Sequence, residues 1–282
     1  TASLFTIQCQ ECGGLCCYAD DSTYTVRGQD TVALSEKLTR KYKGMADYLT
    51  DNKLKVNDEK THLLVMTSRQ KRRFLDTSSV VIETPTAVIS PSRVEQLLGA
   101  QVHQDMRWVE HILDSDNSLV KALNLRLGAL KKVSSVASFK TRKTLANGIF
   151  MSKLIYLMPL WSGCEDYLVN SLQVVQNKAA RTVAKLGIFT PTKTLMKVCG
   201  WMSVRQLMAY HSLVLLHKTL RSKTPVYLHQ KITSGGHFPY RTRAASECPP
   251  GFSFTVSHPT DNGAIKQQSG SKLGLSKQGW CW

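Results

Sequence analysis

The stretch Leu15-Cys16-Cys17-Tyr18-Ala19-Asp20-Asp21-Ser22-Thr23-Tyr24-Thr25-Val26 decides how the chain is read. Leu15 to Tyr18 are apolar and β-prone. Ser22 to Val26 alternate and are rich in β-branched residues, which suits a pleated, half-buried surface. Asp20 and Asp21 stand between the two runs, where aspartate is a common turn residue. Gly28 closes the unit. The spacing predicts a β-hairpin with two carboxylates at its tight end.

Outward from the hairpin, Leu34, Leu38, Tyr42, Met45 and Leu49 fall at helical spacing and predict an amphipathic helix over 33–52, capped by Thr31 or Ser35. Thr61 to Thr67 reads as a strand and Arg69 to Arg73 as a basic turn. Val80 to Ile82 and Ala87 to Ile89 read as two short strands around Pro85. This order predicts an α+β sheet domain. From about residue 114 the period becomes helical. Leu119, Leu123, Leu127 and Leu130 mark one helix. Leu145, Ile149, Leu154, Ile155 and Met158 mark a second, stopped by Pro159. Val169, Leu172, Val175, Ala179, Val183 and Leu186 mark a third, ended by Gly187. Val204, Leu207, Met208, His211 and Leu215 mark a fourth, capped by Ser203. Beyond Thr233 periodicity is lost, and 234–282 is expected to be a low-order tail. Three regions follow: 1–112, 113–233 and 234–282.

The chain carries 37 basic and 20 acidic residues, a net of +17. The excess is local. Residues 1–110 hold 14 basic and 14 acidic side chains, whereas residues 111–231 hold 18 and 4, a net of +14. Only Glu165 and Asp166 interrupt the run between Asp116 and Glu247. Solvated helical faces normally mix signs for i, i+4 pairing, so this segment points to a polyanion and predicts phosphate contact. The candidate contacts are Lys121, Lys131, Lys132, Lys140, Arg142, Lys143, Lys178, Arg181 and Lys185. The last three form a stripe on one helix face. The competing reading is a basic surface without a ligand, or one facing a partner protein. No apolar run approaches the roughly 18 residues of a membrane span, and no secretory leader opens the chain. The expectation is an intracellular protein, nuclear or cytoplasmic, with no membrane partner.

Phosphoryl transfer to a 3′ hydroxyl uses two divalent cations a few ångströms apart, and Mg²⁺ prefers carboxylate oxygens. Two adjacent aspartates at a strand-flanked turn can supply such ligands; a plain hairpin turn can carry the same residues. Cys17-Tyr18-Ala19-Asp20-Asp21-Ser22-Thr23 resembles the catalytic hairpin of reverse transcriptases, RNA-directed DNA polymerases, of the jockey-like non-LTR retrotransposon kind. In that family the Tyr-x-Asp-Asp box carries two of three metal-binding carboxylates. Leu54-Lys55-Val56-Asn57-Asp58-Glu59-Lys60-Thr61 resembles the next family element. There Lys60 falls on a basic position proposed to assist proton transfer to departing pyrophosphate, or is an ordinary surface lysine.

Leu98-Gly99-Ala100-Gln101-Val102-His103 with Met106, Trp108, His111 and Ile112 resembles the primer-grip region, with His103 where an aspartate is usual. Asn177-Lys178-Ala179-Ala180-Arg181 and Pro225-Val226-Tyr227-Leu228 resemble the region after the polymerase. The resemblance spans about residues 15–230. It implies the C-terminal half of a polymerase palm followed by an all-α thumb. It also implies Asp20 and Asp21 as ligands for Mg²⁺ or Mn²⁺, Tyr18 beside the nucleic acid, and Leu98, Gly99 and Trp108 in the primer grip. The implied partners are an RNA template, a DNA primer and deoxynucleotides. Only 17 residues precede Tyr18, so the third carboxylate and the fingers are not expected within this chain. Metal binding should then be weak and primer extension by the chain alone absent. The alternative is a non-catalytic nucleic-acid-binding remnant. Thr1, in place of a methionine, also suggests a fragment.

The eight cysteines are expected to be reduced thiols. Cys9-x-x-Cys12 has ligand spacing for zinc. No second pair stands at finger distance, however, and Cys16 and Cys17 are strand neighbours that point to opposite faces. Burial as small hydrophobes is the preferred reading.

Overall fold

The computed structural model describes residues 14–18, 21–85, 87–233, 257–259 and 265–267. The fold is α+β: small β-pairs and one long helix, then a helical region. Contacts divide it into two compact units, Thr1–Glu110 and His111–Trp282.

In the first unit β1 (Leu15–Tyr18) pairs antiparallel with β2 (Asp21–Tyr24) in the register Leu15↔Tyr24 to Tyr18↔Asp21. The hairpin base is closed by the Thr25 amide donating to the Gly14 carbonyl at 2.9 Å and the Gly14 amide donating to Thr25 Oγ1 at 2.9 Å. Gly28 then turns the chain into α1 (Thr31–Asp51). A Cβ there would lie 3.2 Å from Leu34 Cδ1, so glycine permits the close approach. The cap of α1 is Asp30, whose side chain accepts from the Ala33 amide. Thr31 and Ser35 were the sequence candidates. Asp30 wins because it precedes the first helical residue, where a short acceptor reaches the free N–H groups.

Ser35 has a different task. Its hydroxyl accepts from the Val81 amide at 3.2 Å, and Thr39 Oγ1 accepts from Glu83 at the same distance. These contacts fasten α1 along one edge of β4 (Ile82–Glu83), whose other edge pairs antiparallel with β5 (Val88–Ile89). Leu34, Leu38 and Tyr42 of α1 cover Leu63, Val80, Ile82 and Ile89, the core of this unit.

The expected strand 61–67 shrinks to β3 (Leu63–Leu64), parallel to β6 (Pro91–Ser92), and the expected basic turn contains a short helix, α2 (Arg69–Arg72). β7 (Val94–Leu97) and β8 (Ala100–His103) form a second hairpin. Among the described residues every sheet has two strands, so the pairs do not merge into the continuous sheet expected from the element order. Runs of two to four residues offer too few ladder bonds to recruit a third strand alone.

The second unit opens inside a π-helical turn, Glu110–Asp114, that buries His111 and Ile112. α3 (Leu119–Ser134) buries all four leucines of its predicted stripe. The next predicted helix is broken up: α4 (Phe139–Leu145), a π segment (Ala146–Met151), α5 (Ser152–Ile155), then α6 (Met158–Trp161). Pro159 does not stop a helix; it sits in the first turn of α6, where its missing N–H costs nothing. The break comes earlier, at Leu157, whose φ is 56°. The wider π turn also rotates the face, so Phe150 is buried while Ile149 is exposed.

α7 (Asp166–Ala184) buries its predicted apolar stripe up to Val183. It ends at a left-handed Lys185, before Gly187. α8 (Thr192–Cys199), α9 (Val204–Ser222) and α10 (Val226–Thr233) follow. Ser203 caps α9 in a capping box with Gln206. α7 packs on α3, α8 and α9. Leu130, Ala146, Ala180, Val183, Leu195, Met196 and Cys199 form a core cluster at the α3, α7 and α8 contact.

Gly128 lies inside α3, and beyond its own stretch of helix backbone nothing comes within 4 Å of where a Cβ would stand. Gly128→Ala is therefore expected to stabilise this unit by about 1 kcal/mol, read as a higher urea midpoint at unchanged m-value. In the tail, β9 (Ser257–Pro259) pairs antiparallel with β10 (Ile265–Gln267); the remaining tail residues, on which the low-order expectation rests, lie outside the described residues. Among the described residues no helix is long and apolar enough to cross a membrane.

Candidate nucleic-acid interface and acidic hairpin

The acidic hairpin is exposed. Tyr18 is two-thirds exposed, and Asp21, its cross-strand partner, is exposed as well. Asp20 lies outside the described residues. Ser22 Oγ donates to Cys17 Sγ at 3.5 Å, and Tyr24 donates to Met45 Sδ at 3.6 Å, which ties β2 to α1. Burial, and then the charge of Cys17, raise the Tyr24 pKa. Lys60 ends a 3₁₀ turn, Asp58–Lys60, and is exposed. No ion pair joins it to Asp21 among the described residues.

What fixes the Lys60 turn is its first residue. Tyr42 donates to Asp58 Oδ1 and Thr84 Oγ1 donates to Asp58 Oδ2 at 3.1 Å, so α1 and the end of β4 hold the turn between them. Burial, then the hydrogen bond and charge of Asp58, push Tyr42 from 10.0 up to about 12. The unfolded chain releases that proton first as pH rises past 10. The stability is therefore fully present below pH 10 and is lost as pH rises towards 12. Thermal unfolding between pH 8 and 12 should show this decline in the first unit, and Tyr42→Phe should flatten it.

The β7–β8 hairpin turns on Leu98 and Gly99, with φ of 48° and 82°. Two positive φ angles make the tight turn that matches strand twist, and Leu98 holds one of them against its steric preference. Leu97 and Leu98 are exposed at this tip, and Trp108 is half-buried beyond the second strand. A polar network at the hairpin base had no signal in the sequence. Buried His103 accepts at Nδ1 from the Asp105 amide at 3.1 Å, and its Nε2 lies 3.5 Å from Glu110 Oε1. The Arg72 guanidinium pairs with Asp105 and donates to the Gln104 carbonyl at 3.2 Å. This ties α2 to the end of the hairpin.

In the second unit the basic residues separate by task. Lys131, Lys132, Lys140, Lys178 and Lys185 are exposed and form no ion pair among the described residues. Lys121 is exposed but lies 3.0 Å from Asp116. Lys143 is half-buried, with its Nζ 3.2 Å from a Cβ placed on Gly200 at the end of α8, where a cation suits the helix dipole. Arg181 is half-buried and donates to the Thr190 carbonyl at 3.4 Å.

Arg142 corrects the sequence expectation outright. It is buried at 6% exposure, its Nε donates to the Val183 carbonyl at 2.7 Å, and its Nη1 donates to the Ala137 carbonyl at 2.5 Å. It is a strut between α4 and the end of α7 and cannot reach a phosphate. Sequence reasoning also missed Lys193 and Lys197, exposed four residues apart on α8.

Buried Gln176 was missed too; it donates to the Met202 carbonyl at 2.9 Å, holding α7 to the start of α9. Among the described cysteines all are free: Cys16 and Cys17 exposed, Cys164 and Cys199 buried. Burial raises Cys164 to about 11, which makes it an inert thiol. Cys9 and Cys12 lie outside the described residues. Among the described residues no group of three or more histidine, cysteine or acidic side chains could hold a metal ion. No family model, curated protein or solved structure matches the chain.

Proposed function

We propose that the chain is the C-terminal part of a non-LTR-type RNA-directed DNA polymerase. Its first unit carries part of the palm and its second carries a basic helical surface for a template–primer. The observation that carries this reading is the pairing of Tyr18 with Asp21 at the end of an antiparallel strand pair. The Leu98-Gly99 hairpin tip supports it, in the place the resemblance gives to the primer grip.

Asp20 and Asp21 would hold Mg²⁺ or Mn²⁺, whose carboxylate donors suit a hard cation. Bound there, the metals would stabilise the attacking and leaving oxygens of nucleotidyl transfer. The donor type fits, but two carboxylates fall short of the full set, so binding is weak and the chain alone does not extend a primer. Lys60 would stand as a proton donor to the leaving group. Water-proton relaxation with Mn²⁺ tests the metal assignment: a dissociation constant on the order of 1 mM, lost in Asp20→Asn/Asp21→Asn, is expected. Mn²⁺ binding unchanged in that variant would overturn it.

A second reading, a non-catalytic nucleic-acid-binding remnant, is favoured by the five exposed lysines without acidic partners. It predicts the same salt-dependent binding and no dependence on Asp20 or Asp21.

A further inference from the structure

The turn between α7 and α8 carries the most exposed aromatic side chain among the described residues. Phe189 is 92% exposed and Ile188 beside it 73%. Single exposed apolar residues are ordinary, but this pair sits on a braced support. The Leu186 amide donates back to the Arg181 carbonyl at 3.3 Å and the Thr190 amide to the Gly187 carbonyl at 3.2 Å. Arg181 donates to the Thr190 carbonyl, and Asn177 Nδ2 donates to Thr192 Oγ1 at 2.8 Å. The turn is thus folded back along the last two turns of α7, with Leu186 packed against the core cluster. Ile188 and Phe189 are its outer bend.

The surroundings are basic. Exposed Lys185 precedes the bend, Lys193 follows it, and Lys178 adjoins the Asn177–Thr192 contact. No acidic residue occurs between Asp166 and Glu247. A rigid aromatic face among lysines matches what binds unpaired nucleotides: bases stack on the ring while ammonium groups track the phosphates. Inside a stacked duplex each base face is covered by its neighbours and is closed to such a ring. A lipid surface is the rival, but one aromatic and one aliphatic side chain bury little apolar area. The lysines also run back along α7 from Lys185 to Lys178 instead of ringing the tip.

We propose that Phe189 is a stacking platform for an unpaired base, so that the second unit takes single-stranded nucleic acid at the α7–α8 turn. The proposal rests on the nucleic-acid reading of this unit and adds a strand preference and a residue to it. The test measures the full chain against a single-stranded oligonucleotide holding 2-aminopurine, a blunt duplex, and vesicles of phosphatidylserine and phosphatidylcholine. Wild type should quench 2-aminopurine. Phe189→Ala should lower single-strand affinity roughly ten-fold, with duplex affinity within about two-fold and the salt slope unchanged. Phe189→Tyr should retain binding and quenching.

Being almost wholly exposed, the side chain can be replaced without loss of packing, and an unchanged urea midpoint confirms it. Unchanged single-strand affinity in Phe189→Ala overturns the proposal and leaves the nucleic-acid reading standing. Vesicle binding lost on the same substitution, with oligonucleotide binding intact, assigns the turn to a membrane and also overturns it. Failure of wild type to bind either oligonucleotide removes both readings.

Discussion

Arg142→Met is expected to destabilise the second unit by roughly 3 kcal/mol while leaving the salt dependence of nucleic-acid binding unchanged. The guanidinium is buried and spans two carbonyls, Val183 near the C-terminal end of α7 and Ala137 before α4. The last carbonyls of a helix have no partner within it. Removing the donor therefore leaves the Val183 carbonyl buried and unpaired, at about 1–3 kcal/mol, and takes a second bond from the half-buried Ala137 carbonyl. Arg142→Lys keeps the charge and loses the fork, so it should recover less than half of the loss. Urea unfolding read by the fluorescence of buried Trp161 checks both variants. A loss below about 0.5 kcal/mol would mean that the strut is not made. A reduced salt slope in a folded Arg142→Met protein would place Arg142 on the phosphate surface after all.

The second large effect belongs to the exposed lysines. Replacing Lys131, Lys132, Lys140, Lys178 and Lys185 by glutamine should lower affinity for an RNA–DNA template–primer by on the order of 10³ at about 0.1 M salt. Each phosphate contact releases about one condensed counterion, so the slope of log affinity against log salt should also fall by about one unit per lysine that touches a phosphate. Stability should change little, because these side chains are exposed and unpaired. The contrast with Arg142 is the point: substitutions two residues apart on α4, at Lys140 and Arg142, should separate binding from folding. Equal affinity in wild type and the five-fold variant would assign the basic surface to some other partner.

Helix existence was legible in the sequence wherever the apolar period was long. The α3 leucines and the capping serine of α9 are examples, since one uninterrupted stripe and one local cap suffice to specify them. The pairing of 15–18 with 21–24 was legible for the same reason, because its alternation is local. The exposed tip at Leu98 and the buried His103 at the hairpin's base were not, since the resemblance names positions without their surroundings. Other features were hidden because tertiary partners decide them. The π turn at 146–151 shifts the buried face by one residue, a change no fixed period anticipates. Gln176 is inside because the Met202 carbonyl needs a donor.

Phe139-Lys140-Thr141-Arg142-Lys143 presents three basic residues that look alike on paper. The structure makes one exposed, one buried and one half-buried against the end of α8. Charge counts a candidate surface; only packing tells which charges belong to it. Of the acidic motif, Tyr18 and Asp21 are strand partners, and Asp20 lies outside the described residues.

The claim that the helical unit is a phosphate-binding surface is tested most directly by fluorescence anisotropy of the 282-residue chain with a labelled RNA–DNA template–primer across a potassium chloride series. The account predicts tight binding at about 50 mM salt and a linear log–log decline with a slope of about −4 or steeper. A flat response, or no binding at the lowest salt, would contradict it.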